Sequence, residues 1–172
     1  MKTPILATAI LALAAPVLAQ DATSARATLS DRAGNDVGAV TIDTTPAGLR
    51  RVVLDVRGMA PGGHAVHFHE VADCSAADFT SAGGHIADGM EHGVMVEGGP
   101  HPGDLPNLFV GADGGGHAEF FTDRIEIGAM LLDGDGAAFI VHAEPDDYTS
   151  QPGGAAGDRI ACGEFVVGDT SN

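Results

Sequence analysis

The sequence has very little positive charge. Of its 172 residues, eight are Lys or Arg and 24 are Asp or Glu, which gives a formal net charge of −16 at pH 7. Lys2 is the single lysine, so every later cation is an arginine. A chain this acidic does not bind nucleic acid or an anionic membrane through bulk charge, and we expect neither partner.

Tryptophan is absent, and beyond residue 19 no pattern predicts a helix longer than about two turns. Glycine is plentiful, with 25 residues. Eight short segments instead show the β-branched residues and alternation typical of strands. They are residues 22–29, 36–42, 49–56, 65–69, 108–112, 117–122, 137–142 and 159–167. The pattern predicts an all-β domain, either a β-sandwich or a flattened barrel.

Two long segments between these strands, 71–107 and 145–158, are rich in Gly and Pro and lack an apolar period. A loop this long in a compact domain is usually functional or disordered. The first loop holds three histidines and a cysteine, and this content favours a functional loop.

Residues 1–19 have the layout of a secretory signal peptide. A positive start at Lys2 is followed by the apolar run 5–15 and by the small residue Ala19, with cleavage expected before Gln20. The run is too short for a membrane span, which needs roughly 20 residues. A buried N-terminal helix is the alternative. We expect export and a single mature domain over residues 20–172.

Two cysteines, Cys74 and Cys162, are 88 positions apart. An even count in an exported chain favours a disulfide, whereas two buried free thiols are the alternative. A loop of this length would gain roughly 4–5 kcal/mol from cross-linking in the chain-entropy description.

All eight histidines lie between His64 and His142. His67 and His69 alternate along one strand, so they face the same side and could share a metal with a histidine of a neighbouring strand such as His142. The first long loop, residues 71–107, carries a second set of candidate metal ligands. This set is suited to a tetrahedral zinc site, although imidazoles also suit copper. This set is His85, His92, His101 and Asp104. Ordinary strand histidines and a solvated histidine-rich loop are the alternatives.

Five segments in order resemble the copper/zinc superoxide dismutases, and their form is similar to the exported bacterial branch. They are GGHAVHFHE (62–70), SAGGH (81–85), GPHPGDLPN (99–107), VHAEPDD (141–147) and GDRIACG (157–163). The resemblance implies an eight-stranded antiparallel Greek-key fold of immunoglobulin-like architecture and a periplasmic location. It also implies dismutation of superoxide to oxygen and hydrogen peroxide, with one copper and one zinc per chain.

Residue roles follow from the same resemblance. Copper is implied on His67, His69, His85 and His142, and zinc on His85, His92, His101 and Asp104. His85 would bridge the metals and, with Arg159 as the anion-orienting cation, act in catalysis. Asp146 would link a copper histidine to a zinc histidine. His64 matches a structural histidine, His117 matches nothing, and Cys74 and Cys162 match the family disulfide.

One departure from the family pattern concerns the zinc loop. His92 follows His85 by seven positions where eight or nine are expected, and the segment between them lacks the usual proline. A copper-only dismutase with a failed zinc site therefore stays open as an alternative. A non-catalytic periplasmic copper or zinc store that uses the same ligands is a separate alternative. A homodimer is also open.

Overall fold

The computed structural model describes residues 22–168. Over this range there are ten strands: β1 Ser24–Asp31, β2 Asp36–Thr44, β3 Arg50–Val56, β4 Gly62–His64, β5 Val66–His69, β6 Leu108–Val110, β7 Gly116–Thr122, β8 Ala138–His142, β9 Arg159–Glu164 and β10 Val166–Val167. Two short helical turns accompany them, Thr80–Ala82 and Ile127–Leu131. The expected signal peptide lies outside the described residues and stays a prediction.

Eight of these strands build one strongly curled antiparallel sheet. Its order is β5-β8-β9-β1-β2-β3-β7, β10 adds to β1, and β4 pairs with β6 in a separate two-stranded sheet. Curling brings Leu29, Val40 and Leu54 of the central strands into one core cluster with Phe68 and Phe139. The predicted all-β fold is confirmed, including the eight-stranded antiparallel sheet.

The structure differs from the predicted elements in two regions. The segment predicted as one strand over 159–167 is interrupted at Phe165, whose buried side chain joins the core while its backbone NH donates to Ala137 O. The turn Ile127–Leu131 was not foreseen, because five residues are too few to show a helical period. Within residues 22–168, no helix has both the length and the apolar character needed to cross a membrane.

Strands β5 and β8 are buried along their whole length, whereas β1, β2 and β3 alternate between buried and exposed positions. Phe68 and Phe139 face the core. His67 and His69, on either side of Phe68 in β5, therefore face the opposite side of the sheet. These histidines are nevertheless almost inaccessible to solvent, at 0% and 1% exposure. The long loops therefore cover that side and enclose a polar site.

Candidate metal centre

Backbone hydrogen bonds fasten the first long loop to the edge of β5. The NH of Phe68 donates to Gly103 O, the NH of Ile86 donates to Phe68 O, and the NH of Gly103 donates to Ile86 O, each at 2.9 Å. A Cβ on Gly103 would lie 2.6 Å from Phe68 O, so this approach requires glycine. The network places His85 and Asp104 directly beside the histidines of β5.

A first cluster contains the four side chains His67, His69, His85 and His142. Each offers a ring nitrogen, and these atoms lie within 4.8 Å of one another. The four residues come from β5, from the first long loop and from the end of β8. This spacing is suited to a single metal ion held by imidazoles.

Three rings of this first cluster use their other nitrogen in a hydrogen bond to the protein. His67 Nε2 bonds to Asp146 Oδ2 at 2.9 Å, His69 Nδ1 to Gly83 O at 3.0 Å, and His142 Nδ1 to Gly157 O at 3.3 Å. The opposite nitrogens, His67 Nδ1, His69 Nε2 and His142 Nε2, are buried without a hydrogen-bond partner. Buried polar atoms are rarely left unpaired. Three such acceptors converging on one point fit a metal ion.

A second cluster is built around the carboxylate of Asp104. Its Oδ1 lies 3.0 Å from Nδ1 of both His85 and His92 and 3.3 Å from Nδ1 of His101. Its Oδ2 accepts hydrogen bonds from the backbone NH groups of Gly93 and His101, at 2.9 and 3.0 Å. The carboxylate is therefore fixed, and its Oδ1 with the three ring nitrogens makes a set of four donor atoms of the kind that binds zinc tetrahedrally.

Asp146 lies between the two clusters. Its Oδ2 bonds to His67 Nε2 in the first cluster, and its Oδ1 lies 3.0 Å from His92 Nε2 in the second. Gly154 covers this carboxylate so closely that a Cβ there would lie 1.9 Å from Oδ1. One carboxylate thus orients a ring of each cluster, which is the arrangement that ligating imidazoles need.

Burial sets the charge of these side chains. Loss of solvent lowers the pKa of His69 to about 2, of His142 to about 3 and of His85 to about 4. Burial opposes ionisation of Asp104, but hydrogen bonds from His85 and the Gly93 amide outweigh it and hold the pKa of that carboxyl below its usual value. At neutral pH the rings of His69, His85 and His142 are therefore neutral and Asp104 is ionised, and these are the forms that bind metal ions.

Comparison with known proteins identifies the family to which this geometry belongs. Residues 37–165 match the family model described as copper/zinc superoxide dismutase (SODC). The chain belongs to the copper/zinc superoxide dismutase family. A Cu-Zn superoxide dismutase of Caulobacter vibrioides is 44% identical over 147 residues, covering 81% of this chain and 84% of that protein. One from Deinococcus radiodurans is 35% identical over 159 residues, with coverage of 81% and 82%.

Solved structures of related chains share the fold. A superoxide dismutase-like protein from Bacillus subtilis superposes with a TM-score of 0.73 at 34% identity, covering 80% of this chain and 95% of that one. The Cu/Zn superoxide dismutase from Brucella abortus gives a TM-score of 0.68 at 28% identity, with coverage of 84% and 99%.

In this member of the family, an open cavity of about 540 Å³ leads to the first cluster. His69, His85 and His142 line it, together with Arg159 and residues of the second long loop. Among the lining residues of the described chain, Arg159 is the only one with a fixed charge. The acidic side chains of Glu144, Asp146, Asp147 and Asp158 do not line the cavity.

Arg159 is held by the segment that the disulfide anchors. Its guanidinium donates to Phe79 O and to Gly83 O, each at 2.7 Å. The predicted disulfide joins Cys74 to Cys162, with the two Cα atoms 5.9 Å apart. One end of this bridge lies three residues beyond Arg159, and the other lies five residues before Phe79. The disulfide therefore ties β9, which carries Arg159, to the loop segment whose carbonyl oxygens accept from it.

Two histidines, His64 and His117, lie outside both clusters. The ring of His64 bonds to His142 O at 2.7 Å and to Ala60 O at 2.8 Å, so it joins the end of β8 to the segment before β4 and has no free nitrogen. His117 is exposed on β7 and its ring pairs with Asp55 Oδ1 at 2.7 Å.

The contact of Gln151 with the second cluster was not predicted from the sequence. Gln151 bonds through its side-chain amide to the backbone of His92. A lone polar residue in an acidic, glycine-containing loop carries no signal of this contact. It could be foreseen only by knowing that the two long loops meet.

Proposed function

We propose that this chain dismutes superoxide to oxygen and hydrogen peroxide at copper held by His67, His69, His85 and His142, with zinc held by His85, His92, His101 and Asp104. Membership of the family supports the reaction and both metals. The observation that carries the assignment is the set of three unpartnered ring nitrogens of His67, His69 and His142, which converge on one point.

His85 is the residue shared by the two clusters. Its Nδ1 faces Asp104 and His101, at 3.0 and 3.4 Å, so its Nε2 is left for the first cluster. We assign it the bridging position between copper and zinc. Asp104 and His101 orient the His85 ring through its Nδ1. Asp146 orients the rings of His67 and His92 in the same way.

Bound copper supplies the one-electron chemistry of the reaction. The protein must bring a small anion to it and orient that anion. Arg159 is suited to this task because its guanidinium stays charged, points into the cavity and is fixed by two carbonyl oxygens. Superoxide is small, so the cavity needs no apolar pocket for it.

The disulfide and the bacterial relatives favour an extracellular or periplasmic location. We further propose that residues 1–19 form a signal peptide cleaved near Ala19 and Gln20, which delivers a mature chain of residues 20–172 to the periplasm. The intact mass of the protein from a periplasmic fraction tests this cleavage. Assembly as a homodimer is a further expectation, and the mass of the native particle in solution tests it.

Metal analysis of the purified, metal-loaded chain tests the site assignment. One copper and one zinc per chain are expected. Replacing His101 with Ala should abolish zinc binding while copper stays bound. Replacing His142 with Ala should weaken copper binding while zinc stays bound. Copper without zinc in the unmodified protein would contradict the zinc assignment and favour a copper-only dismutase.

A further inference from the structure

The side chain of Gln151 holds the backbone of one zinc-cluster histidine at two points. The NH of His92 donates to Gln151 Oε1 at 2.9 Å, and Gln151 Nε2 donates to His92 O at 2.8 Å. Gln151 Nε2 also lies 3.3 Å from Thr149 O, within its own loop. Both main-chain polar groups of His92 therefore bond to a single side chain from the opposite loop.

The position of His92 depends strongly on such contacts. Its ring is fully buried and is shared by Asp104 at Nδ1 and Asp146 at Nε2, both at 3.0 Å. The loop that carries it reaches His92 only seven residues after His85. One backbone hydrogen bond is internal to that stretch, from Met90 NH to Ala87 O, and the NH of Glu91 donates to Gly98 O beyond it at 3.2 Å.

We propose that Gln151 is a positioning residue for the zinc site, and that its two-point contact compensates for the short loop between His85 and His92. This inference rests on the zinc assignment made above. Gln151 does not touch the metal ligand atoms; it acts by fixing the backbone from which the His92 ring projects. Partners of this kind typically change metal affinity by about 10–100-fold.

Zinc release from the copper- and zinc-loaded protein tests the proposal. Gln151→Met keeps the size of the side chain without either hydrogen bond, and Gln151→Ala removes the side chain. Transfer of zinc to a chromogenic chelator should be about tenfold faster or more in both variants, and copper release should be unchanged. In both variants, the His92 amide should also exchange its hydrogen faster in NMR spectra of the reduced protein, since it loses its acceptor.

Thr149→Ala is the matched control, because it alters an exposed side chain of the same loop without removing a bond to His92. It should release zinc at the unmodified rate. Zinc release from Gln151→Met at the unmodified rate would overturn the role of Gln151 while leaving the zinc site intact. Equal acceleration of copper and zinc release, or equal acceleration by Thr149→Ala, would show general loosening and overturn it as well. An unmodified protein without zinc would overturn both this inference and the zinc assignment.

Discussion

Oδ2 of Asp146 lies 2.9 Å from Nε2 of His67, and both side chains are completely buried. The other oxygen of the same carboxylate serves His92. An Asn at this position has only one oxygen and cannot accept from both rings. We therefore expect Asp146→Asn to weaken metal binding by about 10–100-fold, measured by competition with a chelator.

The control for this variant is Asp158→Asn, which removes the same charge from an exposed side chain that pairs with Arg32. It should bind both metals like the unmodified protein. If Asp146→Asn also retained full affinity, the linking role of Asp146 would be wrong.

Arg159 is the only fixed charge among the described residues that line the cavity, so its reversal should have a large effect on an anionic substrate. We expect Arg159→Glu to lower the superoxide decay rate about tenfold or more at low ionic strength. The deficit should shrink as salt is added, because salt screens the new repulsion.

Arg57→Glu provides the comparison, since Arg57 is exposed, pairs with Asp36 and does not line the cavity. A small effect is expected there. Equal losses in the two variants would mean that overall charge, rather than the position of Arg159, controls the rate.

Gly103 lies where the first long loop bonds to the backbone of β5. The Cβ of Gly103→Ala would lie 2.6 Å from Phe68 O and 3.0 Å from Ile86 N, so the three-bond network must open. We expect a loss of about 1–3 kcal/mol in the free energy of unfolding, measured by denaturant titration. Gly134→Ala, where a Cβ meets no atom within 4 Å, should be nearly neutral. A neutral Gly103→Ala would show that the loop adapts to the side chain without cost.

The metal-free protein should become less stable as the pH falls from about 6.5 to about 4. Burial lowers the pKa of His69, His85 and His142 in the folded state to about 2, 4 and 3, whereas the ordinary histidine value is 6.5. In this window the unfolded chain binds protons that the folded chain does not, so protons favour unfolding. The lowered pKa of Asp104 acts in the same direction at lower pH.

The midpoint of thermal unfolding of the metal-free protein, recorded across this pH range, measures the effect. A midpoint that does not vary between pH 6.5 and pH 4 would contradict the burial-driven pKa shifts.

Strand alternation and ordered motifs were sufficient to predict much of this protein. The alternation of His67, Phe68 and His69 predicted two histidines on one side of a strand, and the structure places them on the side away from Phe139 and the core. These features depend on residues close together in the chain, where local geometry decides the outcome.

The unforeseen features depend on contacts between distant segments. The acceptors of Arg159 are the carbonyls of Phe79 and Gly83, and every residue has a carbonyl, so sequence patterns do not reveal them. The contact between Gln151 and His92 joins residues 59 positions apart on two irregular loops. No periodicity or motif reports how two such loops pack together.

The decay of superoxide, followed by stopped-flow absorbance with the copper- and zinc-loaded protein, tests the central claim most directly. Catalysis predicts that each chain consumes many equivalents of superoxide and that the decay rate is proportional to protein concentration. The metal-free protein and His142→Ala should both lose this catalysed decay. Consumption that stops after about one equivalent per copper, or decay no faster than in buffer, would contradict dismutation and favour a metal store.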